Sequence, residues 1–283
     1  MQPPRFATKS HLKHRPFLKW AGGKFRLTEE INKLLPKKKQ CLIEPFVGAG
    51  SVFLNSQFER YVLADINPDL INLFNIVKQD VEHYIDACRV LFVHPDANSA
   101  AYYYQRREQF NRSQNSFERS VLFLYLNRFG FNGLCRYNSK NEFNVPFGSY
   151  KKHYFPEAEL RYFAQKAQSA VFICADFQEA FKFADEHSVI YCDPPYAPLT
   201  QNSNFTGYAG NEFSLLHQQT LAALAKQTAS ERKIPVIISN HDTRFTREIY
   251  RGAKLKRLKV QRSISQSSVQ RVKVNELIAL FKT

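Results

Sequence analysis

The stretch VIYCDPPY, residues 189–196, decides both the fold and the chemistry of this chain. Its first half is a short apolar run rich in β-branched residues, the pattern of a strand buried on both faces. The run stops at Asp193 and meets two prolines, which carry no N–H and cannot continue a sheet. Four other runs have the same form: QCLIE (40–44), RYVLAD (60–65), AVFICAD (170–176) and PVIISN (235–240), each short, apolar and ended by Glu, Asp or Asn. Helical patterns at 25–35 and 213–225 accompany them. Short buried strands alternating with helices predict a mainly parallel α/β sheet. In such sheets ligands bind beyond the carboxyl ends of the strands, where these acids lie. Runs at 258–264 and 274–281 predict a closing antiparallel pair, joined through a Ser-rich loop at 265–268.

About a hundred residues separate the second and third strands, far more than an ordinary crossover needs. The stretch 70–155 is helical in pattern and rich in aromatic residues and Arg, and it reads as an inserted domain. The remainder, 1–69 and 156–283, then forms one catalytic unit. Forty Lys and Arg against 25 Asp and Glu give a net charge of +15, which suits a polyanionic partner because each neutralised phosphate releases counterions. Between 244 and 273 ten basic residues face one acid, Glu248, as expected of a phosphate-facing surface. The basic start of the chain, residues 1–16, reads as a solvated tail without the apolar core of a signal peptide. No apolar run is long enough to predict a membrane span. Five scattered cysteines, with no CxxC pair, predict neither a disulfide framework nor a zinc site, and they fit a reducing cytoplasm. The 25 Phe and 14 Tyr serve either core packing or base stacking.

Three short motifs carry chemistry. KWAGGK (19–24) is not a triphosphate-binding loop, since Lys24 is followed by Phe25 and the first Gly is misplaced. EPFVGAGS (44–51) follows a strand, and Gly48 and Gly50 let the backbone approach a ligand. Asp65, 17 residues beyond Gly48, ends the next strand and is placed to accept hydrogen bonds from ribose hydroxyls. The third glycine of a dinucleotide fingerprint is missing, which favours an S-adenosyl ligand over a dinucleotide.

Asp193, Pro194, Pro195 and Tyr196 form the third motif, expected by chance in roughly one chain of this length per thousand. An exocyclic amine on a nucleobase is a poor nucleophile because its lone pair is delocalised into the ring. Asp193 can accept one of its N–H groups and the Pro194 carbonyl the other, favouring a pyramidal nitrogen and the positive charge that develops on it. The two prolines stiffen the turn that aims these acceptors. Tyr196 can stack on a base extruded from the duplex. No metal is needed for this chemistry.

KWAGGK, EPFVGAGS and DPPY, in that order with the insertion before DPPY, resemble the Dam family of DNA adenine-N6 methyltransferases. The likeness continues through FLYLNRFGFNGLCRYN (123–138), FNVPFG (143–148), YFPEAEL (154–160), SNFT (203–206) and ISNHDT (238–243). It implies a Rossmann-like methyltransferase sheet with a mostly helical target-recognition insertion, S-adenosylmethionine as methyl donor, S-adenosylhomocysteine as product, no metal, and GATC in double-stranded DNA as target with base flipping. It further implies a monomeric, cytoplasmic, nucleoid-associated enzyme, bacterial or phage-encoded. Trp20, Lys24, Phe46, Asp65 and Asp193 match positions lining the cofactor site, with Gly48 and Gly50 in its loop and Asp176 placed to meet the cofactor adenine. Lys19 matches a residue reading the first guanine. Leu134, Arg136 and Pro146 match those reading the second half of the site. Phe131 and Asn132 match the pair that enters the helix as adenine leaves, and Tyr150 a further base-side contact. Two departures stand out: Phe131 occupies a position where Tyr is common, and Ser149 one where a relative carries Arg.

Similar acid-Pro-Pro-aromatic motifs serve cytosine N4 and RNA adenine methylation, and a DNA-binding regulator that has lost catalysis is a third possibility. The likeness across the insertion speaks against the first two, and the intact DPPY and cofactor loop against the third. Strand marking for mismatch repair during replication, protection against restriction and control of genes are three roles such a product serves.

Overall fold

The structure, a computed structural model, describes residues 13–198, 213–261 and 273–282. The chain enters through a 3-10 turn at Lys24–Leu27 and a short helix, α1 (Thr28–Asn32). β1 (Cys41–Glu44), α2 (Ser51–Asn55), β2 (Arg60–Asp65) and α3 (Pro68–Gln79) follow. The long connection carries α4 (Val81–Phe92), α5 (Ala100–Arg112), α6 (Ser116–Phe129), a 3-10 turn at Phe131–Gly133, and α7 (Glu157–Ala167). Then come β3 (Ala170–Cys174), α8 (Phe177–Lys182), β4 (Ser188–Cys192), α9 (Leu215–Glu231), β5 (Val236–His241), α10 (Arg244–Ile249), β6 (Lys254–Gln261) and β7 (Lys273–Phe281).

The seven strands lie in the order β3-β2-β1-β4-β5-β7-β6. The first five are parallel; β7 runs antiparallel to both β5 and β6. Every residue of β1, β4 and β5 is buried, which is why these segments read as continuous apolar runs without alternation. Ile43 sits between Val62 of β2 and Ile190 of β4. The chain builds outward from β1 through β2 to β3, then returns to the other side of β1 for β4. The order therefore reverses between β1 and β4, and a crevice opens beyond their carboxyl ends. Pairing of β7 with β5 sets Glu276 opposite His241, so the antiparallel strand delivers an acid to the same end of the sheet.

The insertion is welded to the sheet rather than hung from it. A single apolar cluster runs from Leu63 of β2 through Phe74 of α3 to Phe123 and Tyr125 of α6. Nine residues of α6 are buried, as expected of a helix that is apolar nearly all round. Arg119 of α6 grips Asp69 with two bonds of 2.9 Å, and the Tyr137 hydroxyl adds a third at 2.7 Å. Charge-assisted bonds of this kind are worth about 1.5–3 kcal/mol each. They fix the loop around Tyr137 to the start of α3, whose Asn67 cap accepts from the amides of Asp69 and Leu70.

Most of the phenylalanines are core. Phe17, Phe53, Phe74, Phe163 and Phe172 pack ring against ring with centroids 4.7–6.3 Å apart. Phe131, 45% exposed, is an exception.

Two expectations need correction, and the basic stretch gains partners. The helix expected over 25–35 is a 3-10 turn followed by five helical residues. Lys24 is drawn inward, Asn32 turns its amide to the Asn55 carbonyl at 2.6 Å, and Pro36 bars the helical conformation to the residue before it. The strand expected at 258–264 begins at Lys254, four residues earlier; residues 262–264 lie outside the described residues. The basic stretch 244–273 is also less uncompensated than its own sequence implies. Arg247 and Arg257 lie 2.5 and 3.6 Å from Asp242, and Lys256 lies 2.5 Å from Glu30. Their acids come from outside the window. The tail 1–12, SNFT, the Ser-rich loop, Arg262 and Arg271 fall outside the described residues.

Candidate active site

A cavity of about 1000 Å³ occupies the crevice where the strand order reverses. The expected residues Trp20, Lys24, Phe46, Gly48, Asp65, Asp176, Asp193, Pro194, Pro195 and Tyr196 all line it. The loop after β1 makes its floor. Gly48 and Gly50 adopt positive φ values of 48° and 74°, which favour glycine. A Cβ on Gly48 would sit 2.8 Å from the Trp20 indole nitrogen, so only glycine lets this loop lie against the ring. Gly50 caps α2 and lines no part of the cavity itself; its role is to turn the loop into the helix.

Asp65 ends β2 with both carboxylate oxygens engaged. Oδ2 accepts from the Gly48 amide at 3.1 Å and Oδ1 from the Asn67 amide at 3.0 Å. Burial pushes its pKa up, and these amide bonds pull against that. Each carboxylate oxygen has further lone pairs. Asp176 has another duty in this state: Oδ1 caps α8 by accepting from the amides of Gln178 and Glu179.

Asp193, just past β4, forms an ion pair with Lys24 at 3.1 Å, although its Oδ1 finds no well-aligned hydrogen bond. Burial raises its pKa to about 6 against the pull of Lys24. Lys24 also donates to the Gly22 carbonyl at 2.6 Å and sits 4.5 Å over the Tyr196 ring. KWAGGK leads into the 3-10 turn, and its last residue reaches across the crevice to the DPPY acid. The Tyr196 hydroxyl donates to Glu276 at 3.1 Å, and the ring stands edge-on to His241.

Glu44 supplies a second buried acid at the cavity wall. Its Oε1 is buried without a hydrogen-bond partner among the described residues, and burial followed by the nearby Asp193 charge holds its pKa well above the usual carboxylate range. An acid with one unpartnered oxygen in a cleft lined by aromatic rings suits a ligand that carries both an amine and an apolar ring. The fit to S-adenosylmethionine rests on this, on Asp65, and on Ile66, which is 56% exposed and lines the cavity with Phe46 and Phe177.

The residues expected to face DNA cluster on a second surface. Lys19 is held by Asn127, whose side chain accepts from its amide at 2.8 Å and donates to its carbonyl at 2.7 Å. Its Nζ donates to the Arg128 carbonyl at 2.8 Å and lies 3.7 Å over the Tyr150 ring. Burial and then Arg128 lower its pKa to about 8. The Phe131 amide donates to the Pro146 carbonyl at 2.8 Å, and the Tyr150 hydroxyl to the Gly130 carbonyl at 3.1 Å. Phe131 and Asn132 thus project from a braced turn. Asn132 takes a left-handed φ of 53°, and a Cβ on the following Gly133 would fall 2.1 Å from the Lys19 Cβ. Leu134 packs partly on the core. Arg136 turns its fork on Asn144, with bonds of 2.7 Å to the side chain and 3.1 Å to the carbonyl.

Sequence reasoning missed Glu44, Ile66, Phe177, His241 and Glu276 as cavity residues. Glu44 had a visible signal, since it opens the Gly loop; Glu276 had none. Among the described residues, no group of three or more His, Cys, Asp or Glu is arranged to hold a metal ion, and no helix is long and apolar enough to cross a membrane.

A family model for D12 class N6 adenine-specific DNA methyltransferases matches residues 20–264. The chain is 72% identical over 281 residues to a DNA adenine methylase of Haemophilus influenzae, covering 99% of this chain and 98% of that one. It is 60% identical over 270 residues to that of Escherichia coli strain K12, with 95% and 96% covered. For Vibrio cholerae the identity is 59% over 269 residues, with 95% and 96% covered.

Proposed function

The chain belongs to the D12 class of N6 adenine-specific DNA methyltransferases, and from that premise we propose that it methylates adenine within GATC after flipping the base into the crevice beyond β1 and β4. DNA adenine is its substrate class, which sets aside cytosine N4 and RNA. The observation that carries the reading is the Lys24–Asp193 pair at the strand-order reversal, facing the glycine loop across one cavity.

S-adenosylmethionine, the methyl donor of such enzymes, supplies an electrophilic methyl group when bound. Asp65 accepts from its ribose hydroxyls while its present amide bonds fix the carboxylate. Trp20 and Phe46 would cover it, Ile66 and Phe177 would hold its ring, and Asp176 would accept from that ring with the oxygen not used in capping α8. Glu44 would take its ammonium group. On the substrate side, Asp193 accepts one N–H of the target amine and the Pro194 carbonyl the other. The amine's proton becomes acidic only after attack, so Asp193 needs to be an ionised acceptor, not a strong base. Lys24 holds Asp193 in place. Tyr196, tethered by Glu276 and covered on one face by Lys24, offers its other face to the flipped base.

Residues 70–155 act as the target-recognition unit. Phe131 and Asn132 enter the space the adenine leaves. Lys19 reads the first guanine once released from the Arg128 carbonyl. Arg136 reads the second guanine bidentately, and Leu134 and Pro146 approach the thymine methyl. Tyr150 orients Lys19 and contacts the same base step. Phe131 retains the stacking surface of a tyrosine but not its hydroxyl, and Ser149 forgoes one phosphate contact. The enzyme acts as a monomer on double-stranded DNA. Tritiated methyl transfer should be measured on a GATC duplex, its single-base variants and RNA. Label should enter the GATC duplex strongly over the others; equal labelling of scrambled duplex or RNA would overturn the specificity.

A further inference from the structure

Pro194 and Pro195 both lack an N–H, so the turn that aims the acceptors cannot tie itself down through its own amides. It is held from outside. Gln218 of α9, 1% exposed, donates to the Pro195 carbonyl at 2.6 Å. The Asn240 side chain, fully buried in β5, accepts from the Ala197 amide at 3.0 Å and donates to Gln218 Oε1 at 2.9 Å. Its second donor reaches the Tyr250 hydroxyl at 2.9 Å. His241 Nδ1 lies 2.6 Å from the Ala197 carbonyl. The backbone on both sides of Tyr196 is therefore pinned to two elements by a chain of buried side-chain amides. Such a chain is costly to bury unless every member is satisfied, and here the amide donors and acceptors of Gln218 and Asn240 interlock.

We propose that Gln218, held by Asn240, is a positioning residue for methyl transfer: by occupying the Pro195 carbonyl it fixes the direction of the Pro194 carbonyl and of Asp193. The inference rests on the reading of those two groups as the amine's acceptors. Gln218 touches neither substrate nor cofactor; it acts through the turn. Helix α9 thereby becomes part of the catalytic scaffold. A purely structural role for the same amide would show as lost stability alone.

The two roles separate in single-turnover methyl transfer on the preformed complex of full-length protein, S-adenosylmethionine and GATC duplex. Gln218→Met and Gln218→Leu, two apolar replacements of similar length, are compared with Leu221→Ala on the same helix, where a fully buried side chain is truncated without touching the turn. Asp193→Ala is run alongside, with Tm and both dissociation constants. Either Gln218 variant should lower the rate about 10- to 100-fold, as expected when reacting groups are misaimed by a fraction of an ångström to an ångström. Cofactor and duplex affinities should stay within about twofold, a far smaller change than misaiming of reacting groups produces. Leu221→Ala should lower Tm more yet methylate at close to the wild-type rate. Wild-type rates in the Gln218 variants beside an inactive Asp193→Ala overturn the inference alone. So does a rate loss that tracks Tm in all the variants. An active Asp193→Ala overturns the acceptor reading and this inference with it.

Discussion

The cavity beyond the strands and the turn around Phe131 are both built on fixed backbone, but they differ in what their side chains do before a ligand arrives. In the cavity the reacting group is already placed. Asp193 faces Lys24, Tyr196 is tethered to Glu276, and Glu44 keeps a carboxylate oxygen unused. On the face around Phe131 the donors are turned inward. Lys19 gives its ammonium to the Arg128 carbonyl, and Arg136 lays its fork on Asn144. The first arrangement is electrostatic preorganisation, which serves rate. Under the proposed function, the second requires a guanine to outcompete a bond the protein already makes, which would serve discrimination: a wrong base leaves the protein's own bond as the better choice. On that reading chemistry and base reading are separable in this molecule.

The sharpest way to break that separation is Asp193→Ala. Methyl transfer should fall by at least about 100- to 1000-fold, while cofactor-dependent DNA binding and specificity persist; filter binding beside tritium transfer checks it, and near-normal turnover removes Asp193 from its role. Asp65→Ala should follow, weakening S-adenosylmethionine by about 1.5–3 kcal/mol in calorimetry without changing base preference. Unchanged affinity would reject the ribose placement. Arg136→Ala acts on the other side, relaxing discrimination at one guanine by about 1–3 kcal/mol and leaving the rate on a saturating GATC duplex nearly intact. If binding to GATC and to every single-base variant drops by one common factor, Arg136 is a phosphate contact instead.

A pH series sharpens the same contrast with a smaller effect. Asp193 accepts only when ionised, and its pKa is raised to about 6, so the single-turnover rate should fall as pH drops through 6. Lys19 carries its charge only below about 8, so GATC preference at the first guanine should weaken as pH rises through 8 while the rate limb stays put. A single limb governing both readouts would argue against two separate sites.

Much of the site was legible because it lies at strand ends, where sequence marks position. Buried runs ending in acids located β1 to β5, and Gly48, Asp65 and Asp193 then had to converge at the carboxyl edge. The DPPY motif stands at that edge too, just past β4. What escaped depends on partners distant in the chain. Lys24 reads as a cofactor-site residue, but its pairing with Asp193 at 3.1 Å shows only once the two motifs meet in the fold. Glu276 reaches the cavity only through the register of an antiparallel strand. Gln218 looks like any polar residue on α9, and only the carbonyl of a proline without neighbouring donors explains its burial. The ion pairs within 244–273 were hidden for the same reason, since Asp242 and Glu30 stand outside that stretch of sequence.

The most direct measurement is product analysis of plasmid DNA from cells that lack adenine methylation of their own and express this protein. The DNA is digested to nucleosides for mass spectrometry, and in parallel cut with restriction enzymes that distinguish methylated from unmethylated GATC. The account predicts N6-methyladenine as the new base and full protection at GATC, both lost in Asp193→Ala. N4-methylcytosine, or N6-methyladenine spread without regard to GATC, would contradict it.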